Sequence, residues 1–273
     1  MNSLADALQA HDDEITGHLY IGYAMWDNLI DRAKAAGDCV DEQLWTFLVA
    51  CGYAIAAEEG VRRLTIALTG SDYDVPSNPK VWFEVLPIPP HNREEEGETH
   101  LDLALGTIAV RQGTRSGIEL DDVESPWICF CEMKWYSDIS CGVSHDVHRN
   151  QLGRLIENAL CFQRSGRYAD KVHVTLVTPE VFRDARPKSR LYQYKFEEYS
   201  ANPASLIADL DACILGKNEQ PGWSYPADLA RRVTSLSLRW ATYDELFENL
   251  PDSPIAGELA NFWRQHGNYQ GRP

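Results

Sequence analysis

Apolar and polar positions alternate along the chain with two distinct periods. In "DEQLWTFLVACGYAIAAEEG", Leu44, Phe47, Leu48, Cys51 and Ile55 recur at helical spacing, which predicts a helix ending near Gly60. "KVWFEVLPIPP" predicts a strand stopped by its prolines, and "HNREEEGE" a polar turn. "THLDLALGTIAV" predicts a second strand, with Leu101, Leu103 and Leu105 on one face and His100, Asp102 and Ala104 on the other. The charged stretch "RQGTRSGIELDDVESP" is read as a solvated loop. "WICFCEMKWY" predicts a third strand, apolar on both faces in its first half, as for a central strand covered from both sides.

"DVHRNQLGRLIENALCFQRSG" predicts a helix with Leu152, Leu155, Ile156, Ala159 and Leu160 as its apolar stripe and Gly166 at its end. A fourth strand, "KVHVTLVTP", follows, then a helix in "PASLIADLDACIL" and a late strand in "RRVTSLSLRW". "TYDELFENL" is a short helix capped by Thr242, and "SPIAGELANFWRQHG" a last one. No repeat or low-complexity linker interrupts this order. It predicts one α/β domain over residues 1–273: a core of helix, three-strand meander, helix and strand at about 42–178, and C-terminal helical additions at about 179–273.

One stretch breaks the apolar pattern. In "ICFCEMKWYS", Glu132 and Lys134 interrupt what otherwise reads as buried strand. Buried charges are costly unless they serve one another or a ligand. Residues two apart on a strand share a face, so Glu132 and Lys134 point the same way. If the second and third strands pair as a meander, Asp102 meets Glu132 at one end of the sheet. Two converging carboxylates make a hard-oxygen site suited to Mg²⁺, and a neighbouring lysine can hold a phosphate or help activate a water.

Asp102, then Glu132-Met133-Lys134, then Gln151 on the next helix, resembles the PD-(D/E)XK nuclease superfamily in order, spacing and element type. The resemblance covers about residues 42–178. It departs from the family pattern before Asp102, where Leu101 replaces the eponymous proline. It implies a restriction-endonuclease-like core and hydrolysis of phosphodiester bonds with Mg²⁺ or Mn²⁺. By the same resemblance Asp102 and Glu132 are metal ligands, joined by the Met133 carbonyl. Lys134 orients or deprotonates the attacking water and stabilises the phosphate, and Gln151 points its amide into the site. Arg154, one helical turn on, adds a phosphate contact. Some members use a further glutamate, for which Glu42, Glu58, Glu59 and Glu84 all stand as candidates.

Charge and composition qualify this picture. A net charge of -16 argues against binding nucleic acid through bulk charge. Residues 141–200 carry ten Lys/Arg against seven Asp/Glu, net +3, which leaves -19 for the rest. Arg183, Arg186, Lys188 and Arg190 form either a basic rim for a phosphate backbone or a solvated loop. Seven cysteines without C-x-x-C spacing read as free thiols, with Cys129 and Cys131 packing side by side rather than holding zinc. His145 and His148, flanking Asp146, read as loop or cap residues, and Trp45, Trp82 and Trp127 as core. The N-terminal stretch shows no basic, apolar leader and no run approaches ~20 apolar residues, so a cytoplasmic location is expected. The expected function is a metal-dependent nuclease acting on nucleic acid, DNA before RNA, in prokaryotic defence, restriction or repair. Two alternatives stand beside it: a non-catalytic protein of the same fold that binds a protein partner or a second copy through its acidic surface, and a different metal-dependent hydrolase using Asp102 and Glu132.

Overall fold

The computed structural model describes residues 3–35, 41–74, 78–140, 149–184 and 188–267. Its centre is a mixed six-stranded sheet whose spatial order follows the chain: β1 (Leu19–Ile21), β2 (Val81–Val85), β3 (Leu101–Gly106), β4 (Trp127–Met133), β5 (Lys171–Thr178) and β6 (Ser237–Thr242). β2, β3 and β4 form the antiparallel meander, while β1 joins β2, β5 joins β4 and β6 joins β5 in parallel. Parallel pairing needs a crossover. The helix Gln151–Leu160 supplies it between β4 and β5, and the helices Leu191–Ala201, Pro203–Asp211 and Leu229–Ser235 lie between β5 and β6.

All seven residues of β4 are buried, as expected of a strand covered on both faces. On one face Cys129, Cys131 and Met133 pack with the helices Glu42–Ala54 and Ala57–Thr69 and with the C-terminal helix Ala256–His266. On the other, Ile128 and Phe130 pack with Leu152, Leu155 and Ile156 of the crossover helix. Trp45, Trp82 and Trp127 are buried, so the core reading of these aromatics holds. Cys129 and Cys131 lie side by side with their sulfurs 3.8 Å apart, and both are free thiols. No helix among the described residues is long and apolar enough to cross a membrane.

Several boundaries differ from the sequence expectation. Gly60 does not end the helix Glu42–Ala54, which stops at Ile55. It lies inside the next helix, Ala57–Thr69, where a Cβ would sit 1.9 Å from the Tyr53 carbonyl oxygen, so its role is close helix packing; Gly70, at φ 73°, ends that next helix. The second strand breaks at Gly106, at φ 120°, and Ile108–Val110 pairs instead with Ile118–Leu120, inside the stretch read as loop. Leu101 does not share a cluster with Leu103 and Leu105. The pleat is disturbed at that level by Glu84, at φ 53°, and Leu101 packs with Val85 on the other face. The crossover helix ends at Cys161 rather than Gly166, with Asn150 as its cap. The late strand starts only at Ser237, because Leu229–Ser235 is helical. His145, Asp146, His148 and Cys141 lie outside the described residues.

The segment read as a polar turn carries two fully buried charged groups. His91 donates from Nε2 to Glu157 at 2.9 Å, and Glu96 lies 2.9 Å from the Arg149 guanidinium, which also pairs with Glu157. Arg154 reaches Glu96 at 3.2 Å. Burial opposes the charge on His91, but hydrogen bonds to Cys213 and Glu157 outweigh it and lift its pKa to about 9. Burial also opposes ionisation of Glu157, and His91 and Arg149 outweigh it, holding that carboxyl near 2. The histidine stabilises the fold fully below its ordinary value of 6.5 and loses that effect as pH rises through about 9. The glutamate contributes fully above 4.5 and loses its effect only as pH falls toward 2. Urea unfolding should therefore show stability falling between pH 6 and pH 9, by on the order of 3 kcal/mol. His91→Gln should be less stable at pH 6 and lose most of that slope; an unchanged slope would refute the assignment.

Candidate active site

The strand register brings the sequence candidates together. Leu103 lies opposite Cys131 and Ala104 opposite Phe130; one step further, that register sets Asp102 opposite Glu132. Phe83 opposes Leu103 and Val85 opposes Leu101, so Glu84 opposes Asp102. Carboxylates from three adjacent strands thus occupy one level near the end of the sheet, where directly opposed Cβ atoms stand roughly 5 Å apart. Lys134 follows β4 immediately. Its amide donates to the Val177 carbonyl at 2.8 Å, which extends the β4–β5 ladder and keeps the lysine beside Glu132.

Two helices begin at this point, one from each face of the sheet. Glu42 and Gln151 are the first residues of Glu42–Ala54 and Gln151–Leu160, capped by Asp41 and Asn150. The positive ends of both helix dipoles therefore face the carboxylates. Gln151 donates from Nε2 to Glu132 Oε1 at 2.6 Å and accepts the Ser140 amide at 3.2 Å, which orients its side chain. Lys134 Nζ lies 2.8 Å from Glu132 Oε1 and 3.0 Å from Glu42 Oε1. The other Glu42 oxygen accepts the Trp135 amide at 2.8 Å and the Ser137 hydroxyl at 2.7 Å. Asp102 Oδ2 accepts the Met133 amide at 2.7 Å.

Of the four glutamates left open by the sequence, Glu42 joins the charged cluster and Glu84 lines its wall, taking a hydrogen bond from Gln43 at 2.9 Å. Glu58 and Glu59 are exposed on the second helix, where Glu59 pairs with Arg62 and Arg63. Glu42 carried one readable signal: it follows the capping Asp41 at the start of an apolar helical run. Thr99 and His100 also line the cleft and went unassigned. Arg154 lies in its wall, as expected, but its Nε is held by Thr99 Oγ1 at 2.8 Å and by Glu96. In the basic run after β5, left open as rim or solvated loop, Arg183 pairs with Glu245 and Lys188 with Glu197, while Arg190 lies over the Phe182 ring. Arg186 lies outside the described residues.

Burial dominates the electrostatics. It raises the pKa of Asp102 well above the usual carboxylate range, and the neighbouring Glu132 charge adds to the effect. Burial likewise raises Glu132, against the pull of Lys134. Burial disfavours the charge on Lys134, but Glu132, Asp102 and Glu42 together outweigh it, so the ammonium is held more firmly than in an ordinary lysine. The Glu132 and Lys134 side chains are only 5% and 7% exposed. They form the floor of a cleft of about 340 Å³.

Among the described residues, no three His, Cys, Asp or Glu side chains make a ready-formed metal cluster. The donor set nevertheless fits a hard cation. Asp102 and Glu132 each commit one oxygen to the protein, and no hydrogen bond from a described residue reaches Asp102 Oδ1 or Glu132 Oε2. Mg²⁺ is commonly held by one or two carboxylates, with water and substrate phosphate completing the octahedron. In comparisons with known proteins, no family model, no curated protein and no solved structure matches the chain.

Glu132 is buried and Asp102 half-buried beside it, so their like charges oppose one another. Asp102→Asn keeps an oxygen for the Met133 amide and removes one charge. Its metal-free melting temperature should rise by about 2–4 °C, the shift expected for ~1 kcal/mol in a chain of this size, and any upward shift with Mg²⁺ should vanish. Thermal melts with and without Mg²⁺ check both; a lower metal-free melting temperature would contradict the repulsion.

Proposed function

We propose that the chain is a metal-dependent phosphodiesterase of the PD-(D/E)XK type, with a restriction-endonuclease-like core and nucleic acid as its substrate. The observation that carries this reading is the constellation at the end of the meander. Asp102 faces Glu132, Lys134 is ion-paired to Glu132, and Gln151 comes in from the following helix onto the same carboxylate. The Met133 peptide belongs to the same group, its amide on Asp102 and its carbonyl available as a further hard donor.

Asp102 Oδ1 and Glu132 Oε2 would hold Mg²⁺ or Mn²⁺. The bound ion supplies Lewis acidity and a bound water of lowered pKa. Lys134, held as the ammonium in the cleft by Glu132, Asp102 and Glu42, would orient a phosphoryl oxygen and stabilise the charge developing on it. Glu42 holds that ammonium in place from the first helix, with its second oxygen anchored on the Trp135 amide and Ser137. Gln151 fixes the Glu132 carboxylate through one oxygen and leaves the other turned to the cleft.

The test is cleavage of plasmid DNA, single-stranded DNA and RNA with Mg²⁺ and with Mn²⁺. Wild type should cleave, and Glu132→Ala should abolish both cleavage and metal-induced stabilisation. Lys134→Ala should retain metal binding and lose about 10²-fold or more in rate, as for removal of a charge-stabilising group. Wild type that cleaves none of these substrates with either ion would overturn the proposal, and a Lys134→Ala variant as fast as wild type would move the chemistry to another site.

A further inference from the structure

We infer that the substrate is an unpaired strand, and that Tyr23 with His100 forms a shelf on which one of its bases stacks. The inference rests on the phosphodiesterase reading for the position of the scissile phosphate, and on separate observations for the rest.

The first observation is charge. Among the described residues, the cleft is lined by Glu42, Glu84, Glu98, Asp102 and Glu132 against Lys134 and Arg154. Lys134 is already matched by Glu132 and Glu42, and Arg154 by Glu96. The chain as a whole carries -16. A duplex brings one phosphate charge per ~1.7 Å of axis, a single strand about half that density. Such a cleft repels a duplex more, and binding there must draw on contacts other than charge. Base–aromatic stacking is the contact a single strand offers, because its bases are not already buried against partners.

The second observation is where an open aromatic ring lies. Tyr23 is 64% exposed and Met25 beside it 61%. The Tyr23 ring meets the His100 ring edge-on, with centroids 4.9 Å apart and planes at 87°. That contact occupies at most one face of the Tyr23 ring, and most of the side chain stays open to solvent. His100 lines the cleft two residues before Asp102, so the shelf adjoins the carboxylate row. Its position is fixed from the backbone: the Tyr23 amide donates to the Glu84 carbonyl at 2.8 Å, and Gly22 to that of Phe83 at 2.9 Å. Glu84 belongs to the same carboxylate level, so shelf and row are tied through one residue. Arg154 also lines the cleft, but its Nε is held by Thr99 and matched by Glu96, so it adds no unmatched charge for a phosphate.

The test is binding by fluorescence anisotropy, with Ca²⁺ in place of Mg²⁺, of three labelled probes of equal length: oligothymidylate, an abasic deoxyribose-phosphate chain and a blunt duplex. Oligothymidylate should bind about tenfold more tightly than either of the others, as for one stacked base. Tyr23→Ala should lose about that tenfold on oligothymidylate alone, Tyr23→Phe should retain it, and both should melt as wild type does. Equal or tighter binding of the duplex or the abasic chain would overturn the inference. So would a Tyr23→Ala variant that binds oligothymidylate like wild type, or wild type that binds none of the probes. Tyr23-dependent binding without cleavage under Mg²⁺ or Mn²⁺ would keep the shelf and end the phosphodiesterase reading. Cleavage of duplex and single strand alike, independent of Tyr23, would do the reverse.

Discussion

Everything at this end of the molecule depends on how a carboxylate can be kept at the closed end of a strand that is buried on both faces. Glu132 follows five buried residues of β4, and water is nearly excluded from it. An isolated ionised carboxylate there would be intolerable. The surroundings are arranged accordingly: a lysine two residues on, an amide from the next helix, and helix N-termini approaching from both faces. Asp102, facing it across the meander, worsens the problem by repulsion. A structure that accumulates negative charge in a dry place and only partly neutralises it gives up stability at that point, as functional sites commonly do.

The same logic recurs behind the crossover helix. Arg149, just before the cap, and Glu157, two turns on, lock that helix to the segment around His91 and Glu96. These ions are fully buried, and breaking such a pair leaves an uncompensated charge, which typically costs about 3–5 kcal/mol. The network therefore holds the helix that presents Gln151 and Arg154, and through Arg154 it touches the wall of the cleft. Removing Arg149 would disturb the site without contacting any reacting atom.

The meander, the covered central strand and the convergence of Asp102, Glu132, Lys134 and Gln151 were legible in the sequence, because each rests on a local period or on parity along a strand. What was not legible depended on contacts between distant segments. Gly60 looks like a helix stop until the preceding turn packs against it. His91 and Glu96 look like solvated turn residues because their partners lie more than fifty residues away. The choice of Glu42 over Glu58 and Glu59 needed the path of the first helix relative to β4. Tyr23 reaches the site only because β1 adds in parallel beside β2, and no alternation within "LYIGYAM" announces that neighbour. The basic run after β5 stood open between a rim for phosphate and a solvated loop, and the pairing of Arg183 with Glu245 could not be read from the local sequence.

The order in which the sheet is assembled carries a consequence for how the protein comes into being. The row Glu84–Asp102–Glu132 is built on antiparallel neighbours whose connections are shorter than the β4–β5 crossover, but Glu42 and Gln151 reach it from outside the meander, and the strand beside Glu132 must arrive by that parallel crossover. Closing long loops is slow relative to forming hairpins. On a nascent chain the acidic row would therefore form early and stay hydrated. Its dehydration comes only when the crossover helix docks, so maturation of the cleft coincides with completion of the core rather than preceding it.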